Sequence, residues 1–147
     1  MKKVILLVLL FSFFSCKKSV NLTHYQYKNV KITRADSGDK IYFSYGYFNY
    51  DKEVINRANV LADCSFDHFL FGFLFFHPNG TVEIINGGGG KYSALKNGSM
   101  LFYNDTSSIK LDKFRSGNYD NLYQLSDNLD LEKKRNKAFG SKVKVNK

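Results

Sequence analysis

The chain is predicted to fold as a mainly β protein, an antiparallel barrel or a strongly curved sheet carrying one short helix. Three observations predict this. Aromatic residues are abundant, with 14 Phe and 10 Tyr and no Trp, and such rings fit the half-buried pleated surface of a strand. Pro78 is the single proline, so few positions forbid a ladder hydrogen bond. Alternating apolar and polar segments recur between short clusters of Gly, Asn, Asp and Ser, which are turn formers.

The elements follow in order. "YQYKNVKIT" (25–33) alternates but changes face around Asn29, as a strand with a bulge would. The turn "ADSGD" (35–39) leads into "KIYFSYGYFNY" (40–50). There Ile41, Phe43, Tyr45 and Tyr47 share one face, and Lys40, Tyr42, Ser44 and Gly46 the other. In "DKEVINRANVLADC" (51–64) the period changes: Val54, Ala58 and Leu61 are helically spaced, beside Ile55 and Ala62. With Asp51 as N-cap, that stretch fits a short amphipathic helix or a long loop.

"HFLFGFLFFH" (68–77) is the most apolar stretch after the N-terminal run. Its length suits a strand buried on both faces and falls short of a bilayer span. "HPNG" then closes a hairpin: Pro78 presets the turn, and Gly80 can take the positive φ of a bulged return. In the return strand 81–85, Thr81 and Glu83 face outward, with Val82 and Ile84 inward. The glycines 87–90 form a bent connection to "KYSAL", and Asn97-Gly98 signals a two-residue hairpin into "SMLFY". Strands follow at "IKLDKF" (109–114) and "YDNLYQL" (119–125). From Ser126 the aromatics cease except for Phe139, while Lys133, Lys134, Arg135, Lys137, Lys142, Lys144 and Lys147 crowd together. Residues 126–147 therefore read as a basic, solvated, frayed tail.

The front of the chain has a different logic. Met1, Lys2 and Lys3 precede an apolar run, Val4 to Phe14, broken only by Ser12. This has the form of a secretory signal peptide over 1–15, with the small Ser15 at the cleavage position. Cys16 comes next, and "FFSC" resembles the lipobox of bacterial lipoproteins. That resemblance implies a diacylated Cys16 as the new N-terminus, with 16–24 as a lipidated tether and 25–125 as the β domain. Each buried CH₂ contributes ~0.8 kcal/mol, so two or more acyl chains anchor stably. Lys17 and Lys18 follow the cysteine, where neither an inner-membrane retention signal nor an acidic surface-export run stands. The expected location is the cell envelope, on the outer membrane and facing the periplasm.

"FFSCKK", "LFGFLFFHPNGTVEI" and the later "FRSGNY" together resemble small Bacteroidota lipoproteins with a β-rich, lipocalin-like domain, over roughly residues 11 to 119. The resemblance implies a lipocalin-like barrel and carries over no catalytic residue.

Composition bounds the partners. Without the first 15 of 147 residues, 132 remain, enough for one domain with a core. Loss of Lys2 and Lys3 lowers the formal charge from +9 to +7. Such a balance suits anionic lipid or an envelope glycan. The basic residues are dispersed and the protein is exported, so nucleic acid is not an expected partner. With Cys16 lipidated, Cys64 is unpaired and no disulfide framework exists.

Candidate chemistry is sparse. Cys64 and His68 are four apart, but a structural zinc needs four ligands and no second pair is present, so no metal is expected. A Cys64 dyad with His24 or His77 would need a closeness that spacing does not supply. Carboxylate pairs could be drawn from Glu53, Asp63, Asp67 or Glu83, none in a recognisable setting. "NGGGGKYS" (86–93) fails the phosphate-loop pattern, because Ile85 and Tyr92 stand where Gly and Ser or Thr are required. The expectation is a non-enzymatic envelope lipoprotein without a cofactor, acting by interaction or structure. The alternative is a binder of a small hydrophobic ligand lined by Phe43, Tyr45, Phe73 and Phe75.

Overall fold

The computed structural model describes residues 20–66, 69–96, 98–103, 121–130, 132 and 144–146. The leader 1–15, Cys16, Asp67, His68 and the strand expected at 109–114 lie outside them. The described chain runs β1 (Asn21–Tyr27), β2 (Val30–Ser37), β3 (Lys40–Tyr45), α1 (Asp51–Arg57), β4 (Val60–Asp63), β5 (Phe71–Phe76), β6 (Val82–Gly88), β7 (Lys91–Ala94), β8 (Met100–Tyr103), β9 (Leu122–Ser126) and β10 (Lys144–Asn146).

These strands form two sheets rather than one closed barrel, in the orders β10-β1-β2-β3-β4-β7 and β8-β6-β5-β9. The mainly β expectation is met, while among the described residues the strands lie in two packed layers and do not close into a lipocalin-like barrel. The physical reason lies after β7. Asn97 of the expected Asn97-Gly98 hairpin lies outside the described residues, and the flanking strands do not pair with each other: β7 pairs with β4 while β8 pairs with β6 in the other sheet. By crossing over, β8 buries Met100 and packs Phe102 against the inter-sheet core. The β6–β8 pair is parallel, so the structure is not wholly antiparallel.

The first hairpin also differs from expectation. Residues 25–33 are not one bulged strand but the end of β1, a turn at Lys28–Asn29 and the start of β2, with Tyr27 opposite Val30. Lys28 takes a positive φ of 51° there. The change of face at Asn29 is the turn itself. By contrast, the "ADSGD" turn forms with Ser37 opposite Lys40, and Gly38 supplies its positive φ of 64°. α1 is a short helix ending at Arg57, and the chain extends again at Val60. Tyr50 is the N-cap and Asp51 the first helical residue, its carboxylate accepting the Lys52 N–H at 2.8 Å.

The HPNG hairpin forms as expected. The His77 N–H donates to the Thr81 carbonyl, and the Gly80 N–H donates back to His77 with φ +87° at Gly80. β5 is largely buried on both faces. Its inward residues Leu74 and Phe76 meet Val82 and Ile84 of β6 and Tyr123 and Leu125 of β9. From the six-stranded sheet, Tyr25, Ile32, Ile41, Phe43, Val60 and Ala62 complete this core. Tyr123 sits edge-on to both Tyr25 and Phe76, and its hydroxyl donates to the Gln26 carbonyl, tying the sheets together. The outer face of the four-stranded sheet carries a second cluster of Phe73, Ile85 and Leu122 with Phe71 and Phe75.

Gly72 is required by a close approach. A Cβ there would fall 2.5 Å from the Ile85 carbonyl oxygen, beside the register shift between Phe71 and Gly72. Only a residue without a side chain lets the strands meet at that point.

The segment read as a frayed tail is ordered in part. Glu132 is fully buried, and Lys144–Asn146 pair with β1, Val145 standing opposite Thr23. An internal ion pair and an edge ladder outweigh the solvation that the basic composition suggested.

Candidate functional site

The four residues proposed to line a ligand cavity are not brought together. Phe43 is fully buried in the inter-sheet core. Tyr45 shares its face but stands at the end of the sheet, with its hydroxyl donating to the Gly80 carbonyl at 3.0 Å. Phe73 and Phe75 project from the opposite face of the four-stranded sheet, into the second cluster. Strand alternation separates them: Leu74 and Phe76 point between the sheets, so Phe73 and Phe75 must point away.

The candidate nucleophile is placed against reactivity. Cys64 is buried, and burial pushes its thiol up to about 11, which leaves it protonated at neutral pH. His77 sits at the HPNG hairpin, 3.1 Å from the Glu83 carboxylate and edge-on to Phe75. His24 lies on the outer face of the six-stranded sheet, stacked on Tyr47 at 4.2 Å, with Nδ1 3.2 Å from the Thr33 hydroxyl. Burial lowers its pKa below the ordinary 6.5, favouring the neutral ring. No group of three or more His, Cys, Asp or Glu among the described residues could hold a metal ion.

The densest polar arrangement was not anticipated. Arg34 is wholly buried on the inward face of β2. Its Nε donates to Asp36 at 2.6 Å and its Nη1 to Glu132 at 2.8 Å. Glu132 also accepts from the Tyr25 hydroxyl at 2.7 Å and from the Ser126 N–H at 2.7 Å. Burial pushes the Glu132 carboxyl above its ordinary value, against the pull of Arg34, Tyr25 and Ser126. Thr23 stands directly across from Arg34, and neither its hydroxyl nor Arg34 Nη2 finds a hydrogen-bond partner among the described residues. One sequence signal could have exposed Arg34. With the turn set at Lys28–Asn29, it falls in the inward parity of Ile32, an uncommon place for a charge. Glu132, one carboxylate among lysines, gives no comparable sign.

A second concentration of groups lies on the surface. Beyond β3 the chain folds back over the sheet, the Phe48 N–H reaching the Thr33 hydroxyl at 3.1 Å. This segment and the β1–β2 hairpin pair cations with rings. Lys28 Nζ lies 5.3 Å from the Tyr27 centroid, Lys31 Nζ 5.4 Å from Tyr47, and Arg57 5.6 Å from Phe48. Tyr50, 69% exposed, extends the aromatic surface. Tyr27 is half-buried against the core, whereas Tyr47 is exposed and Phe48 half-buried. On this outer face, cations beside rings can meet anionic groups while the rings offer flat apolar contact.

Compared with protein-family models, curated proteins and solved structures, the chain matches none of them.

Proposed function

We propose that this protein is a lipid-anchored component of the cell envelope, tethered through Cys16 to the outer membrane and facing the periplasm, whose β domain works by contact rather than catalysis. The observation that carries the reading is the ordered series of Lys2-Lys3, apolar run, Ser15 and Cys16, with the first strand beginning at Asn21. The non-catalytic role is supported by the raised thiol of Cys64 and by the engagement of His77 with Glu83. The partner face is the outer ring-and-cation surface of Lys31, Tyr47, Phe48 and Arg57, which suits an anionic envelope glycan.

The test is fractionation. Expressed with its leader in a bacterium, the protein is expected to sediment with membranes and to carry label from a radioactive fatty acid. Cys16→Ser is expected to lose the label and to become soluble or stay unprocessed. Normal processing and membrane association of the Ser variant would refute the anchor.

A further inference from the structure

The strand register shows what lies at the tethered end of the sandwich. Asn21, the first residue of β1, is opposite Asp36, which is opposite Ile41, then Ala62, then Tyr92. The chain leaving β4 past Ala62 therefore emerges at the end where β1 begins. That exit is held by hydrogen bonds. The Cys64 N–H donates to the Asp39 carbonyl at 2.7 Å, and the Ser65 N–H donates to the Asp63 carboxylate at 3.0 Å.

The next residue, Phe66, is 95% exposed, a ring presented to solvent from an anchored turn. Close in sequence, Phe69 is 45% exposed and lies along the glycine run, where a Cβ on Gly89 would meet its ring at 2.5 Å. The glycines thus leave space for an aromatic side chain at this end.

Four residues, 17–20, separate Cys16 from β1. Fully extended, the path from Cys16 to Asn21 spans at most about 18 Å. On the lipoprotein reading, on which this inference rests, that end of the domain cannot leave the bilayer surface. We infer that it docks on the bilayer, with Phe66 inserted at the boundary of headgroups and acyl chains and Phe69 beside it. An amphipathic contact of this kind reaches about 5–10 Å into the interface. On the sheet end itself the charges balance, since Lys40 and Lys91 flank Asp63 in the register and Asp39 precedes Lys40 in the adjoining turn. Lys17 and Lys18 of the tether add attraction to any anionic lipid. The contact is apolar and does not need anionic lipid. Its effect is to fix the orientation of the domain, turning the β1–β2 and HPNG turns away from the membrane.

The chain contains no tryptophan, so Phe66→Trp introduces a single fluorescent indole. The full acylated chain is reconstituted into phosphatidylcholine vesicles with brominated acyl chains. Emission from the indole of Phe66→Trp is expected to shift to the blue and to be quenched. Tyr45→Trp, at the opposite end of the sheet, is expected to show no quenching. In the soluble Cys16→Ser background, Phe66→Trp is expected to emit as a ring in water. Vesicle-bound Phe66→Trp with unquenched, water-like emission would overturn the docking while leaving the anchor intact. Quenching that appears only when anionic lipid is added would overturn its apolar character. Emission already shifted to the blue in the soluble background would mean that protein buries the ring, and would also overturn it. A chain not retained on vesicles would overturn both the anchor and the docking.

Discussion

Arg34 and Glu132 stand 98 residues apart and meet at 2.8 Å, each side chain only 1% exposed. Such a pair gains little over a well-packed apolar replacement, but breaking it by removing one partner strands a buried charge, at a cost of about 3–5 kcal/mol. Glu132→Ala is therefore expected to destabilise the domain by about 3 kcal/mol, read as a lower urea midpoint. The double variant Arg34→Met with Glu132→Leu should recover most of that loss. A single Ala variant with an unchanged midpoint would place Glu132 outside the core.

The same carboxyl sets a pH dependence. Its folded pKa is raised above the ordinary 4.5, chiefly by burial. Between 4.5 and the raised value, the folded chain holds a proton that the unfolded chain has released. Stability from this group is therefore greatest below 4.5 and falls as pH rises through the folded pKa. Glu132→Gln should abolish that slope, so wild type loses ground to the variant as pH increases across the window. A constant difference between the two would count against the shift.

Cys64 should be slow to react. With its thiol raised to about 11 and its side chain buried, native protein in a Cys16→Ser background should resist iodoacetamide at about pH 8. Unfolding in urea should restore the rate of a free thiol. Rapid modification of the native state would reopen a catalytic role.

Gly72→Ala places a methyl 2.5 Å from the Ile85 carbonyl oxygen, against backbone that cannot rotate aside. The expected loss is about 1–3 kcal/mol, as for other overpacked sites. Gly88→Ala is a useful comparison, since its Cβ would meet nothing within 4 Å and its cost comes from its φ of 125° alone. Equal thermal midpoints for wild type and Gly72→Ala would mean that the strands can part there.

The surface reading has its own test. Lys31→Glu and Arg57→Glu, combined, should weaken retention on dextran sulfate beads and flatten its dependence on salt. Reversing Lys40 and Lys91 instead should change retention less. Equal effects of the two sets would mean that net charge, not this face, governs the contact.

The parts of the fold that could be read from sequence are those where local chemistry decides. Pro78, Asn79 and Gly80 specify their hairpin within a few residues, and Ile41, Phe43 and Tyr45 reveal their face by alternation alone. Asn97-Gly98 carried an equally strong local signal, yet the strands flanking it lie in different sheets, β7 beside β4 and β8 beside β6. The surface rings were visible as composition, but their pairing with cations depends on the chain folding back at Phe48. The Arg34 cluster was hidden for a related reason. One of its carboxylates arrives from a segment whose composition reads as solvent, and only tertiary structure brings it inside.

β10 lies along the edge of β1, the strand that starts five residues beyond Cys16. On the proposed anchoring through Cys16, that places a three-residue cover on the backbone nearest the anchor. If Lys144–Asn146 were peeled away, the N–H and C=O groups of β1 would form an open edge. Confined to two dimensions, neighbouring copies would encounter that edge far more often than molecules in solution. On the proposed anchoring, the short strand would thus bear on whether a crowded membrane holds separate domains or copies joined edge to edge.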